Sequence, residues 1–230
     1  MDSNNFSKSQ KLLHLSQRFR QSNSVRSLSY PQPHPSESFK RPNRSAVLIC
    51  LFEEGDDIFV ILTKRSSKLS SYSGHVSLPG GRTDEGDTDD IRTALREAEE
   101  EIGLDPALVD VVAVLEPFIT KENVTVVPVL GILWNKQAFN PVLNPDEVES
   151  IFYAPFEMFL KDENRRHEER EFQGDKYLFH YFDFKTNNKV YVIWALTAGI
   201  LISTASLVYQ RPPDFDPRMP KFWKKSYSRF

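Results

Sequence analysis

Residues 80–104 read GGRTDEGDTDDIRTALREAEEEIGL, a glycine-containing loop that leads into a strongly acidic segment. On a helix with 100° per residue, the aliphatic side chains of this segment fall in one narrow stripe, which predicts a face that packs on the core. That stripe consists of Ile91, Ala94, Leu95, Ala98 and Ile102. We therefore predict a helix over residues 88–102, capped by Asp87 or Thr88 and ended by Gly103.

Three of the four glutamates near the end of this helix fall on a different side from the apolar stripe. Glu97, Glu100 and Glu101 are related by i, i+3 and i+4 spacings, so their carboxylates can reach a common point, whereas Glu99 points elsewhere. Like charges at these spacings are mildly unfavourable unless a cation lies between them, and Mg²⁺ prefers such oxygen ligands. Arg96 can reach Glu100 one turn on and orient it. An ordinary solvated acidic face is the alternative.

The same segment resembles the Nudix box, G-x5-E-x7-R-E-U-x-E-E-x-G-U, in which U is aliphatic. Residues 96–104, REAEEEIGL, match its second half position for position, with Ala98 in an aliphatic slot. The first half departs from the pattern. Counted from Gly81, the glutamate slot holds Asp87, and one extra residue separates it from Arg96.

This resemblance implies an α+β Nudix fold, a mixed β-sheet sandwiched between α-helices. It also implies hydrolysis of a nucleoside diphosphate that is linked to another moiety, with Mg²⁺ or Mn²⁺ as the cofactor. Carried over from the family, the metal ligands are Glu97, Glu100, Glu101 and the carbonyl of Gly80.

The catalytic positions implied by the resemblance are Glu97, Glu100 and the orienting Arg96, together with a general base that varies among family members. Glu97 is one candidate for the base. Glu147 or Glu149, in the segment NPDEVES, is another, because a glutamate from a separate loop can serve. Either of these two could equally be a surface acid.

Residues 61–81, ILTKRSSKLSSYSGHVSLPGG, resemble the extra motif of the coenzyme A diphosphatase branch, L-L-T-x-R-S-x3-R-x3-G-x3-F-P-G-G. Matches to that motif include Thr63, Arg65, Ser66, Gly74 and the Pro79–Gly81 triplet. Ser70 replaces its second arginine, and Lys68 lies nearby. The similarity, closest to plant members, implies that coenzyme A or acyl-CoA is cleaved to 3′,5′-ADP and 4′-phosphopantetheine or its acyl form.

Lys64 and Arg65, at the end of a predicted strand, suit the phosphates of such a substrate. The alternative is that one of these two residues only forms an ion pair with acidic residues of the Nudix box. Gly74 and Gly81 are the other substrate-binding candidates, while His75 is interpreted as a polar loop residue.

Two other functions remain open at this point. One is a Nudix hydrolase that acts on ADP-ribose, NADH or another nucleotide, and the other is a catalytically weak nucleotide-sensing or protein-binding module. The net charge of −3 gives no reason to expect nucleic-acid binding, and a single cysteine, Cys50, excludes a disulfide framework. The oligomeric state is left open.

The chain is predicted to divide into residues 1–43, a Nudix domain at 44–212 and a C-terminal tail at 213–230. The first part is predicted to form a short amphipathic helix and a flexible linker, with a mitochondrial transit segment as the alternative. A cytoplasmic location is favoured and a mitochondrial one is kept open. The amphipathic helix would be built on Leu12, Leu13, Leu15 and Phe19.

The uncharged stretch at 190–209, VYVIWALTAGILISTASLVY, is about as long as a membrane span. Its first part is β-branched and aromatic, and a polar turn links it back to YLFHYFDF. This pattern predicts a β-hairpin followed by a buried helix at 195–208, with no membrane span. The charged run at 161–174 is predicted to be a solvated helix or loop.

Overall fold

The computed structural model describes residues 9–26 and 43–224, which form two β-sheets and three α-helices. The strands are β1 (Arg44–Glu54), β2 (Asp57–Arg65), β3 (Val76–Ser77), β4 (Gly80–Arg82), β5 (Val109–Val114), β6 (Phe118–Ile119), β7 (Thr125–Leu133), β8 (Val148–Pro155), β9 (Arg165–Phe172), β10 (Asp175–Thr186) and β11 (Lys189–Trp194). The helices are α1 (Gln10–Arg26), α2 (Asp90–Ile102) and α3 (Ala195–Tyr209).

The larger sheet is mixed and has helices on both faces. Strand β1 is parallel to β7 and antiparallel to β2, and the path through the sheet runs β3-β2-β1-β7-β5. Side chains alternate along β1, so Leu48 and Cys50 pack on the side of α2, whereas Ile49 and Leu51 pack on the side of α1 and α3. The predicted α+β architecture, a mixed sheet between helices, is confirmed.

The acidic segment forms α2, but the predicted N-cap was wrong. Asp89 caps the helix, because its side chain accepts a hydrogen bond from the backbone N–H of Arg92 at 2.7 Å. Asp87 lies further upstream with its carboxylate engaged by other side chains. Gly103 ends the helix in the left-handed conformation, with φ of 68°, as its position predicted.

Helix α1 packs against the domain. Leu12, Leu15 and Phe19 are buried in the core on the side of α3. The guanidinium of Arg18 donates hydrogen bonds to backbone carbonyls at the C-terminal end of α3, where such groups have no partner within the helix. The predicted linker after this helix lies outside the described residues.

The C-terminal part of the chain combines a hairpin, a buried helix and a packed segment. The hairpin of β10 and β11 is present, and α3 follows directly. None of the helices in residues 9–26 and 43–224 has the length and hydrophobicity needed to cross a bilayer. After α3, the N–H of Asp214 donates to Leu160 and Trp223 is buried against Gly199. The predicted domain boundaries remain predictions.

The segment at 161–174 is largely exposed, as predicted, but its prediction as a helix or loop was wrong, because most of it is β9. This strand lies at the edge of a three-stranded sheet, antiparallel to β10. The guanidinium of Arg166 lies 4.3 Å from the ring centroid of Tyr181, and that of Arg170 lies 4.8 Å from Phe179. These contacts with the following strand, β10, favour a strand conformation despite the charged composition of the segment.

Candidate active site

Three glutamates from two separate parts of the chain converge beside α2. Oxygen atoms of Glu97 and Glu101, one turn apart on the helix, and of Glu147, just before β8, all lie within 4.8 Å of one another. The segment that carries Glu147 is held in place by backbone hydrogen bonds. The N–H of Asn144 donates to the carbonyl of Glu101 at 3.0 Å, and the N–H of Ser66 donates to the carbonyl of Glu147 at 2.8 Å.

Glu101 is the most deeply buried member of this three-glutamate cluster, with only 3% of its surface exposed. Burial raises the pKa of its carboxyl to about 8, and the nearby charges of Glu97 and Glu147 act in the same direction. A hydrogen bond of 3.2 Å from the N–H of Gly80 and the positive charge of Arg65 oppose that rise. The ionised form of this carboxyl is therefore disfavoured unless a positive charge lies beside it.

Glu97 is held between a glycine and an arginine. A Cβ atom at Gly81 would lie 2.4 Å from the carboxylate of Glu97, so only glycine leaves room for this side chain. Burial raises the pKa of Glu97, and Arg96 opposes that rise through its charge and a hydrogen bond of 3.1 Å. The backbone of the β4 loop thus closely approaches the acidic face of α2.

Arg96 links the helix to the loop before it. Its Nε and Nη2 atoms donate to the two carboxylate oxygens of Asp87 at 3.0 and 2.9 Å, and its Nη1 atom donates to Glu100 at 2.8 Å. The side chain of Glu100 is 54% exposed and is not part of the three-glutamate cluster. The metal-binding roles of Glu100 and of the Gly80 carbonyl remain predictions.

Asp87 is buried and fully engaged. Burial alone would raise its pKa, but hydrogen bonds from Arg96, from the N–H of Asp84 and from the hydroxyl of Thr93 hold the pKa below its usual range. The sequence offered no sign of Thr93, because its hydroxyl reaches Asp87 only after the loop has folded against α2.

Lys64 and Arg65, two of the four predicted substrate-binding residues, lie at the end of β2. The Nζ atom of Lys64 donates to Glu149 at 2.8 Å, so Glu149 is paired while Glu147 faces the cluster. The Nε atom of Arg65 is buried and has no hydrogen-bond partner among the described residues. The N–H of Gly74 donates to the carbonyl of Arg65 at 3.2 Å, which places the Gly74 loop beside this strand.

Comparison with known proteins gives a match to the NUDIX domain over residues 42–173. The chain is 66% identical over 183 residues to Nudix hydrolase 15, mitochondrial, of Arabidopsis thaliana, which covers 79% of this chain and 64% of that protein. It is 64% identical over 181 residues to Nudix hydrolase 22, chloroplastic, of the same plant, which covers 78% of this chain and 60% of the relative. The matched region thus spans less than two thirds of either plant relative.

A more distant relative is the peroxisomal coenzyme A diphosphatase NUDT7 of Mus musculus. The identity is 34% over 175 residues, which covers 75% of this chain and 73% of the mouse protein. All three alignments include more than two thirds of the chain.

Proposed function

Because the chain belongs to the Nudix family, we propose that it is a metal-dependent hydrolase of coenzyme A and acyl-CoA. The reaction cleaves the diphosphate bond and gives 3′,5′-ADP and 4′-phosphopantetheine or its acyl form. The observation that carries the proposal is the cluster of Glu97, Glu101 and Glu147 next to the basic end of β2 at Lys64 and Arg65. The activity named for the mouse relative supports the choice of substrate.

The three-glutamate cluster fits a hard divalent cation such as Mg²⁺ or Mn²⁺. Its donors are all carboxylate oxygens, the ligand type that these ions prefer. Burial and mutual repulsion raise the pKa of Glu97 and of Glu101, so a cation is the natural compensation for their ionised forms. A divalent ion held by Glu97 and Glu101 of this cluster, with the neighbouring Glu100 as the further ligand that the resemblance implies, would supply charge neutralisation of the diphosphate and a lower pKa for the attacking water, and Glu147 would stay available as the general base.

The side chains of the protein account for positioning and proton transfer. Lys64 and Arg65 bind phosphate oxygens, and Arg96 fixes the carboxylate of Glu97. A carboxylate oxygen of Glu147 accepts the proton of the water that attacks phosphorus. The new P–O bond forms as the bridging P–O bond breaks, and the departing phosphate keeps the bridging oxygen.

The test is turnover of a substrate panel with Mg²⁺ or Mn²⁺, in which products of coenzyme A, acyl-CoA, ADP-ribose and NADH are identified by mass. We expect 3′,5′-ADP and 4′-phosphopantetheine from coenzyme A. Glu101→Gln should abolish this activity, whereas Glu99→Gln, at an exposed position of the same helix, should leave it intact. Turnover of ADP-ribose or NADH without turnover of any coenzyme A species would contradict the proposal.

For cellular location, the name of one plant relative, Nudix hydrolase 15, mitochondrial, supports a mitochondrial alternative to the cytoplasm, whereas the other plant relative is named chloroplastic. A reporter fused to residues 1–45 tests this alternative directly. Import of the reporter into mitochondria would support it, and a diffuse cytoplasmic signal would support the other location.

A further inference from the structure

A cavity of about 160 Å³ lies beside Lys64, between the loop before β3 and strand β11, and none of the three clustered glutamates lines it. Gly74 and His75 line the cavity from the loop. On the other side it is lined by four residues of β11: Val190, Tyr191, Val192 and Trp194. The ring centroids of His75 and Trp194 are 5.2 Å apart, so the two sides of this groove touch there.

The β11 side of the groove is the edge of β11 that faces β3. Among the described strands, β11 pairs only with β10, although β3 lies close to its other edge. An unpaired edge offers backbone N–H and C=O groups to an extended ligand. Val190 is 57% exposed and contributes an aliphatic side chain to the same wall. The groove therefore combines a cation, peptide groups and apolar surface.

We propose that this groove binds the pantetheine arm of coenzyme A, an inference that rests on the proposed function. Lys64 holds the phosphate of the diphosphate to which the arm is attached. The two amides of the arm form hydrogen bonds with the edge of β11, and its dimethyl and methylene groups pack on Val190, Val192 and Trp194. An extended chain with alternating amides and apolar groups complements all three features of the groove.

The adenosine half of the substrate fits the groove less well. The rings of His75 and Trp194 are in contact at an interplanar angle of 58°, which leaves no parallel slot for a flat base. No carboxylate or amide side chain lines the cavity, so none is available there to form hydrogen bonds with the edge of adenine. The groove thus distinguishes the two halves of the substrate.

The experiment measures binding of 4′-phosphopantetheine and of 3′,5′-ADP, each by calorimetry, to the full chain and to Val190→Asp. The matched control is Leu207→Asp, since Leu207 is 48% exposed on α3, far along the helix from the groove. A second variant, Val192→Thr, keeps the side-chain shape and replaces one apolar methyl group with a hydroxyl.

We expect Val190→Asp to weaken 4′-phosphopantetheine binding by at least about tenfold, with a smaller loss in Val192→Thr. The affinity for 3′,5′-ADP should not change, and Leu207→Asp should behave as the wild type for both ligands. Unchanged 4′-phosphopantetheine binding, or a loss confined to 3′,5′-ADP, would overturn the assignment of the groove. If wild-type protein from the same preparation hydrolyses coenzyme A, such a binding result overturns only the assignment of the groove. If it does not hydrolyse coenzyme A, the proposed function fails and the groove assignment fails with it.

Discussion

The guanidinium of Arg96 donates two hydrogen bonds to the carboxylate of Asp87, and both side chains are largely buried. The Nudix box has a glutamate where this chain has Asp87, and it has one residue fewer before the arginine. The shorter side chain and the longer loop nevertheless bring the carboxylate to Arg96. Asp87 therefore forms an ion pair with Arg96 although this part of the sequence departs from the family pattern.

Asp87→Asn removes one charge from this pair without changing its shape. We expect the free energy of unfolding to fall by about 1.5–3 kcal/mol, because hydrogen bonds between charged groups contribute that much and Arg96 loses one of its charged partners. Coenzyme A hydrolysis should also fall by about 10–100-fold, since Arg96 orients Glu97. Chemical denaturation and steady-state kinetics measure the two effects.

The control for this variant is Asp146→Asn, which disrupts the exposed ion pair with Lys68. Exposed pairs contribute little, so this substitution should change neither stability nor turnover measurably. If Asp87→Asn behaved like this control, the Arg96–Asp87 pair would have no role in stability or positioning.

Gly81→Ala tests whether close backbone approach sets the position of Glu97. The new methyl group would collide with the carboxylate of Glu97 at 2.4 Å, so that flexible side chain must move out of the cluster. We expect Mg²⁺ affinity and turnover to fall by about 10–100-fold while the protein stays folded. Titration with Mg²⁺ and circular dichroism report the two properties.

Gly86→Ala is the matched control, because it lies in the same loop and its added Cβ meets no atom within 4 Å. Its activity should equal that of the wild type. Equal losses in both variants would show that the loop, rather than the contact with Glu97, is responsible.

The raised pKa of Glu101 predicts how the stability of the metal-free protein depends on pH. The folded state binds a proton more tightly than the unfolded state, so this group's contribution is fully present below about 4.5 and is lost as pH rises to about 8. Glu101→Gln should flatten that part of the profile. Denaturation of the chelated protein across this range provides the measurement, and an unchanged slope in Glu101→Gln would contradict the assignment.

Leu15→Ala tests whether α1 belongs to the folded core. Leu15 is only 4% exposed, and its truncation should lower the free energy of unfolding by about 2–5 kcal/mol. Leu13→Ala, on a less buried side of the helix, should cost much less. Denaturation curves that coincide for Leu15→Ala and the wild type would show that α1 contributes nothing to stability.

The acidic helix and the sheet could be predicted because their signals are local. Apolar residues from Ile91 to Ile102 recur with the period of a helix. The continuous apolar run of β1 is typical of a strand that is buried on both faces. The ion pair of Arg96 with Glu100 followed from the same helical spacing.

Other features depend on contacts that form only when neighbouring elements pack against one another. Charged β9 becomes a strand only because β10 supplies its pairing partner and aromatic surface. The N-cap moves to Asp89, and Asp87 turns to Arg96 and Thr93 once the loop has folded.

The sequence by itself therefore determined the helix that presents the acidic face, its apolar packing side and the resemblance to the Nudix box. Only the tertiary structure decided which acids meet. It brings Glu147 to Glu97 and Glu101, pairs Glu149 with Lys64 and leaves Glu100 largely exposed. Helical periodicity determines the directions in which side chains project from one helix. Which separate segments meet depends on backbone hydrogen bonds and packing, and residue spacing within one segment does not encode these contacts.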